Sequence, residues 1–164
     1  MTRHWLMRLI DRREFLLAGG ATAAAAVVAG VPLSFAEDDA GGRSLQFAWA
    51  FRNVVGEAVP EEAQVTLDLP EIAENGNTVP YKIEVESPMT EADHVKKLHL
   101  LSTANPQAAV ATFHFTPQSG KAAVAGRMRL AKTQDVVAVA ETSGGKFLMG
   151  KRNVKVVIGG CGNE

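Results

Sequence analysis

A chain of 164 residues carrying 17 Lys and Arg against 18 Asp and Glu has a formal charge of −1, so it lacks the basic excess that holds proteins on nucleic acid. With 46% apolar and 6% aromatic residues it has the means to build one packed core and is no low-complexity or disordered polymer. Cysteine occurs once, as Cys161, which excludes an internal disulfide framework and every Cys-x-x-Cys metal or redox motif.

Residues 1–36 read as a signal peptide rather than as part of a fold. Arg3 and Arg8 give a basic start, Asp11-Arg12-Arg13-Glu14-Phe15-Leu16-Leu17 follows, and an Ala/Gly/Val stretch runs from Ala18 to Val31. The pair Arg12-Arg13 with Phe15-Leu16 behind it resembles a twin-arginine export signal, although Asp11 and Leu17 replace the usual Ser or Thr and Lys. Ser34 and Ala36 suit a small-residue cleavage site, which puts the mature start at Glu37. An uncleaved anchor is the alternative: Phe15 to Phe35 just reaches the ~20 residues a span needs. Gly19, Gly20, Gly30 and Pro32 dilute that segment, so no stable membrane anchor is expected. The expected location is the periplasm, an oxidising compartment where structural cysteines normally pair. Removing residues 1–36, with four arginines and two acidic residues, moves the formal charge from −1 to −3.

The mature chain suits one domain, residues 37–158. After a short acidic lead, Phe47, Ala50, Phe51, Val54, Val55 and Ala58 recur at intervals of three and four, which predicts a helix bounded by Gly56 and Pro60. Its stripe is expected to dock at one end or a sheet edge, and Trp49, one place off the stripe, is a candidate interface residue. Beyond Pro60 the period changes to two. Strands are predicted at Val65–Leu69, Val79–Ser87, Val95–Ser102, Ala108–Thr116, Ala122–Leu130, Asp135–Ala140, Lys146–Leu148 and Asn153–Ile158. Glu74-Asn75-Gly76-Asn77, Asn105-Pro106, Pro117-Gln118-Ser119-Gly120 and Ser143-Gly144-Gly145 supply turn chemistry, and Lys151-Arg152 reads as a solvated turn. Eight short strands with one helix predict an all-β, immunoglobulin-like antiparallel β-sandwich without that fold's inter-sheet disulfide.

The chain ends Val156-Val157-Ile158-Gly159-Gly160-Cys161-Gly162-Asn163-Glu164. Gly159, Gly160 and Gly162 lack Cβ atoms, so residues 159–164 are expected to form a flexible arm with an exposed thiol. Three residues past the last strand give the sulfur roughly 10 Å of reach. This layout favours delivery of a covalently held group over catalysis, which needs a nucleophile fixed against a base and oxyanion donors. No catalytic residue, cofactor or metal site is therefore expected. His94, His99 and His114 are scattered, and no haem-attachment or phosphate-loop motif is present. By alternation His99 shares a face with Lys97, and His114 with Thr112 and Thr116, opposite Phe113 and Phe115, so a wet or partner-facing role outweighs that of a catalytic base. A terminal prenylation box is ruled out because Gly162 and Asn163 are not aliphatic. An exported structural or interaction protein cross-linked through Cys161 remains the alternative.

Four segments carry a further resemblance: Val154 to Gly162, Asp68 to Pro80, Glu86-Ser87-Pro88-Met89-Thr90, and Ala111-Thr112-Phe113-His114-Phe115-Thr116-Pro117. Together they resemble the SoxY family, the sulfur-carrier subunits of the periplasmic thiosulfate-oxidising system, over most of the mature chain. The resemblance implies an immunoglobulin-like fold, pairing with a SoxZ-like subunit, and sulfur intermediates attached to Cys161. It also implies visits to a haem-containing coupling enzyme, a sulfate-releasing hydrolase and, in some organisms, a sulfane dehydrogenase. Family members commonly end Gly-Gly-Cys-Gly-Gly, whereas Asn163 and Glu164 close this chain. Carboxylates so close to the sulfur disfavour the thiolate, which leaves a partner's positive charge to promote it.

Overall fold

The computed structural model describes residues 44–159. One helix, α1 (Leu45–Val55), precedes eight strands: β1 (Val65–Asp68), β2 (Ile72–Asn75), β3 (Val79–Val85), β4 (Val95–Ser102), β5 (Ala109–His114), β6 (Ala122–Met128), β7 (Gln134–Thr142) and β8 (Phe147–Ile158). They form a three-stranded sheet in the order β1-β3-β6 and a five-stranded sheet in the order β2-β8-β7-β4-β5. Alternation puts one face of each sheet inward: Leu67, Val79, Ile83, Val85, Ala122 and Met128 meet Leu98, Leu100, Val136, Ala138, Leu148 and Val154 in the main core. Ile83, Leu98, Leu100, Val136 and Val154 are wholly buried there.

The second face of the five-stranded sheet is also apolar at its centre. Leu101, Val137, Val139, Phe147 and Met149 form a second cluster with Phe47, Ala50 and Val55 of α1. The helix thus covers a sheet face rather than an end or edge, because β7 buries five consecutive residues, Val136 to Ala140, and needs an apolar cover on both sides. Ser44 caps α1 by accepting the Phe47 amide through its hydroxyl (3.2 Å), and Gly56, at φ 62°, ends it.

Two departures from the alternation pattern matter for the tail. The segments predicted as Lys146–Leu148 and Asn153–Ile158 fall, but for Lys146, in one twelve-residue strand, β8, and Lys151-Arg152 lies inside it rather than in a turn. Gly150, which breaks the sequence pattern, is there for proximity: a Cβ would stand 2.7 Å from the Val65 carbonyl oxygen and 3.0 Å from Val65 Cγ1. We expect Gly150→Ala to destabilise the fold by about 2 kcal/mol through overpacking. Gly144→Ala, which meets only Thr142 Oγ1 at 3.9 Å, should change stability by less than about 0.5 kcal/mol; urea unfolding compares them.

The other departure is β2, in a segment that shows no clean alternation. It pairs in parallel with β8, Ile72 opposite Lys155 and Asn75 opposite Ile158, whereas every other strand pair is antiparallel. The final strand is therefore an interior strand, hydrogen-bonded to β2 on one side and β7 on the other.

Candidate functional site at the base of the C-terminal tail

Arg12, Arg13, Gly160, Cys161 and Gly162 lie outside the described residues, and Gly159 is the last residue within them. The structure therefore defines where the tail departs. Ile158 offers its carbonyl to the Gly76 amide at 2.7 Å, and the Gly76 carbonyl accepts the Leu130 amide at 2.8 Å. Two residues earlier the Val156 amide donates to Thr133 Oγ1 at 2.9 Å. The end of β8 is thus held between two loops, the β2–β3 turn and the β6–β7 connection. In the turn, Asn75 Oδ1 accepts the Asn77 amide at 2.9 Å, the local turn bond expected of Asn-Gly-Asn.

The β6–β7 connection is fixed from beneath by a pair of amides. Asn105 is 7% exposed and Gln134 4%. Asn105 Oδ1 accepts the Ala131 amide at 2.9 Å and Gln134 Nε2 at 2.7 Å, while Asn105 Nδ2 donates to the Arg129 carbonyl at 2.8 Å. Gln134 Oε1 accepts the Ala104 amide at 2.7 Å, and its Nε2 also donates to the Lys132 carbonyl at 3.1 Å. Each amide oxygen accepts and each amide nitrogen donates, so neither side chain leaves a buried polar atom unmet, as burial demands. Asn105-Pro106 reads in sequence only as a turn, and Gln134 stands just ahead of the strand predicted from Asp135. Nothing in the local sequence shows that either amide is buried and holds a loop.

His94, His99 and His114, scattered in the sequence, do not gather at this site. His94 sits beside the β7–β8 turn, its amide donating to Ser143 Oγ at 3.1 Å, at the end of β8 remote from Gly159. His99 and His114 share the outer face of β4 and β5 with Lys97 and Thr112, in the register Lys97 opposite His114 and His99 opposite Thr112. His99 Nδ1 lies 3.0 Å from Thr112 Oγ1 in a cleft of about 230 Å³ that Trp49, Asn53 and Glu141 also line. Burial, and then the Lys97 ammonium, hold His99 below its ordinary value of 6.5. Partial burial pushes Glu141 up, but hydrogen bonds and charge from Lys96 and Lys97, each with Nζ at 3.1 Å, together outweigh it and leave the carboxyl below its usual range.

A His whose pKa is lowered on folding resists the proton that the unfolded chain accepts. Its stabilising contribution is complete above pH 6.5 and is lost as pH falls through the lower folded value. The thermal midpoint of His99→Gln is expected to fall less than that of the parent chain between pH 7.5 and 5.5; parallel curves would show that His99 does not contribute.

Beyond this cleft Trp49, 72% exposed, and Leu45, equally exposed, border an apolar cleft of about 430 Å³ with Pro106, Ala108 and Ala109. Among the described residues no group of three or more His, Cys, Asp or Glu side chains is placed to hold a metal ion.

The family model described as "Sulfur oxidation protein SoxY" matches residues 51–161, more than half of the chain and up to the cysteine itself. The chain belongs to the SoxY family. Among solved structures, the sulfur carrier protein SoxY from Chlorobium limicola f thiosulfatophilum is 32% identical, with 69% of this chain and 97% of that one covered and a TM-score of 0.57. The superoxide reductase (neelaredoxin) of Ignicoccus hospitalis matches at 15% identity, covering 57% of this chain and 80% of its own, with a TM-score of 0.52. The superoxide reductase of Nanoarchaeum equitans matches at 10% identity, 59% and 100% coverage, and a TM-score of 0.50. These two share the fold alone. No curated protein matches the chain. Within the SoxY family, the two-loop clamp on β8 lies wholly inside the matched span, from Gly76 to Gly159.

Proposed function

We propose that this chain is an exported, periplasmic sulfur carrier that holds thiosulfate-derived sulfur on Cys161 and presents it to the enzymes of the thiosulfate-oxidising system. The observation that carries the reading is the family match running through residue 161, onto the only cysteine of the chain. A rigid two-sheet domain ending in a fixed strand, with Cys161 three residues past Ile158, supports it. In this reading residues past Gly159 act as the arm, the two-sheet domain is immunoglobulin-like, a SoxZ-like subunit is the standing partner, and Arg12-Arg13 direct export by the twin-arginine route.

The chemistry needs a thiol and nothing more from this chain. Coupling joins Cys161 Sγ to the outer sulfur of thiosulfate; the thiol proton leaves to water, and the two electrons released are taken, one at a time, by the haem-containing coupling enzyme, which serves as the oxidant and passes them on. Hydrolysis then adds water and breaks the bond between the outer sulfur and the sulfonate. Sulfate and two protons are released, and a persulfide anion stays on Cys161. The negative charge of Glu164, three residues from the sulfur, opposes thiolate formation, so the enzyme that docks must supply positive charge.

Intact mass spectrometry of the mature chain after incubation with thiosulfate and the haem coupling enzyme tests this. A thiosulfate adduct mapping to Cys161 is the expected result. An unmodified Cys161, or a homodimeric disulfide as the sole product, overturns it in favour of a cross-linked structural protein.

A further inference from the structure

Gly159 is not glycine for the sake of its φ, which lies outside the left-handed region, but for the sake of space. A Cβ built on it would collide with the Ala131 carbonyl oxygen and stand 3.3 Å from the carbonyl carbon. The main chain at residue 159 therefore runs hard against the backbone of the β6–β7 connection. That connection does not rest on the surface by chance. Arg129, Ala131 and Lys132 each bind, through a backbone group, the buried Asn105–Gln134 pair, the Leu130 side chain is wholly buried, and its amide reaches Gly76. Gly76 in turn holds Ile158, and Thr133 holds Val156. The contacts close a ring from Asn105 through Ala131 and Leu130 to Gly76, Ile158 and Gly159.

We infer that Asn105 and Gln134 are positioning residues for the carrier cysteine. Through the loop they hold, they fix the point and direction in which the chain leaves β8, so the pivot of the arm lies after Gly159 and the first glycine of the tail is part of the rigid domain. The inference rests on the carrier reading of Cys161. A pivot set in this way keeps the radius swept by the sulfur short, about two residues or roughly 7 Å of chain from residue 159. A partner's active site then meets the thiol from a defined platform instead of searching a larger volume, the same economy that preorganisation brings to any docking event. Loosening the platform should lower productive encounters while leaving the intrinsic reactivity of the sulfur untouched.

Two substitutions approach the ring from opposite sides. Gly159→Ala adds a methyl directed at the Ala131 carbonyl and displaces the chain from Ala131. Asn105→Ala removes the side chain that holds Arg129 and Ala131. In the complete mature chain, we expect kcat/KM for enzymatic thiosulfate loading to fall about tenfold in Gly159→Ala, mainly through KM. Alkylation of Cys161 by iodoacetamide should stay within about twofold and the thermal midpoint should be preserved. Loading of Gly159→Ala at the parental rate overturns the inference, as does a fall in loading matched by an equal fall in alkylation. Amide hydrogen exchange gives the independent reading: Asn105→Ala should expose Ala131, Leu130 and Gly76 at least tenfold faster while Leu98 and Val139 keep their protection. Retained protection at Gly76 and Leu130 overturns the inference even where loading falls. Absence of any adduct on the parent chain marks failure of the carrier reading instead, and the exchange measurement still decides whether the ring holds residue 159.

Discussion

A Cys161→Ser chain is expected to take up no sulfur and to lower thiosulfate-dependent reduction of the coupling haem by ~100-fold or more, to the background of the enzymes alone. The reason is chemical rather than steric. Serine differs by one atom, but its oxygen has no counterpart to the two-electron disulfide couple that lets a thiolate join another sulfur. No other sulfhydryl can substitute, because Cys161 is the single cysteine among 164 residues. The same substitution should leave the thermal midpoint within about 2 °C of the parent, since position 161 follows β8 and surface changes away from packed features alter stability by less than about 0.5 kcal/mol. Loss of transfer with preserved folding is therefore the signature to seek by haem spectroscopy and calorimetry together. A large fall in the midpoint would show instead that the tail is part of the core.

The largest effect on folding is expected at Ile83. It lies in β3, the centre of the three-stranded sheet, opposite Leu67 on β1 and Val124 on β6, and it is wholly buried in the main core. Ile83→Ala removes three carbons from a site hemmed by backbone on both sides, where neighbours cannot close the void. The lost transfer energy and the cavity together amount to about 4 kcal/mol. Against a stability of roughly 5 to 15 kcal/mol for a domain of this size, that is a loss of about 15 °C in the thermal midpoint. Ile83→Val, which removes a single methyl group, should cost about 1 kcal/mol. Equal effects of the two would mean that the site relaxes and that the two sheets are not rigidly packed there.

Where one face of a strand is wet, its side chains announced it. Val95–Ser102 has the same bounds in sequence and in structure, and β1, β3 and β6 differ only at their ends. The helix was legible from the Phe47, Ala50, Val54 stripe, but not its seat, because covering a sheet face depends on a second apolar layer that β7 hides in a continuous run. Strand β2 escaped because Asp68 to Asn75 has too few inward residues to alternate; within β2 only Ala73 is buried. Strand β8 looked like two because Gly150 and the charged Lys151-Arg152 interrupt its pattern, and the cause, the close approach of Val65, is a distant contact no local window contains. For the candidate site the split is similar. Cys161 and its glycines are visible as chemistry, whereas the ring that ends at Gly159 is made of backbone groups and two buried amides, most of whose partners lie 24 to 30 residues away along the chain.

The interior place of β8 has a mechanical meaning. In the carrier role proposed above, an enzyme that grips a sulfur held on Cys161 and then lets go would transmit its pull to residue 159 and down the axis of the last strand. That strand is joined to β7 through eight residue pairs, from Phe147–Glu141 to Val154–Gln134, and to β2 in parallel along its final stretch. A tug along the axis loads both ladders in shear, so many hydrogen bonds must yield together. A terminal strand at the sheet edge, peeled sideways, would surrender them one by one. The end of the fold from which Cys161 follows is thus anchored in an interior strand, paired on both sides against a pull along its axis.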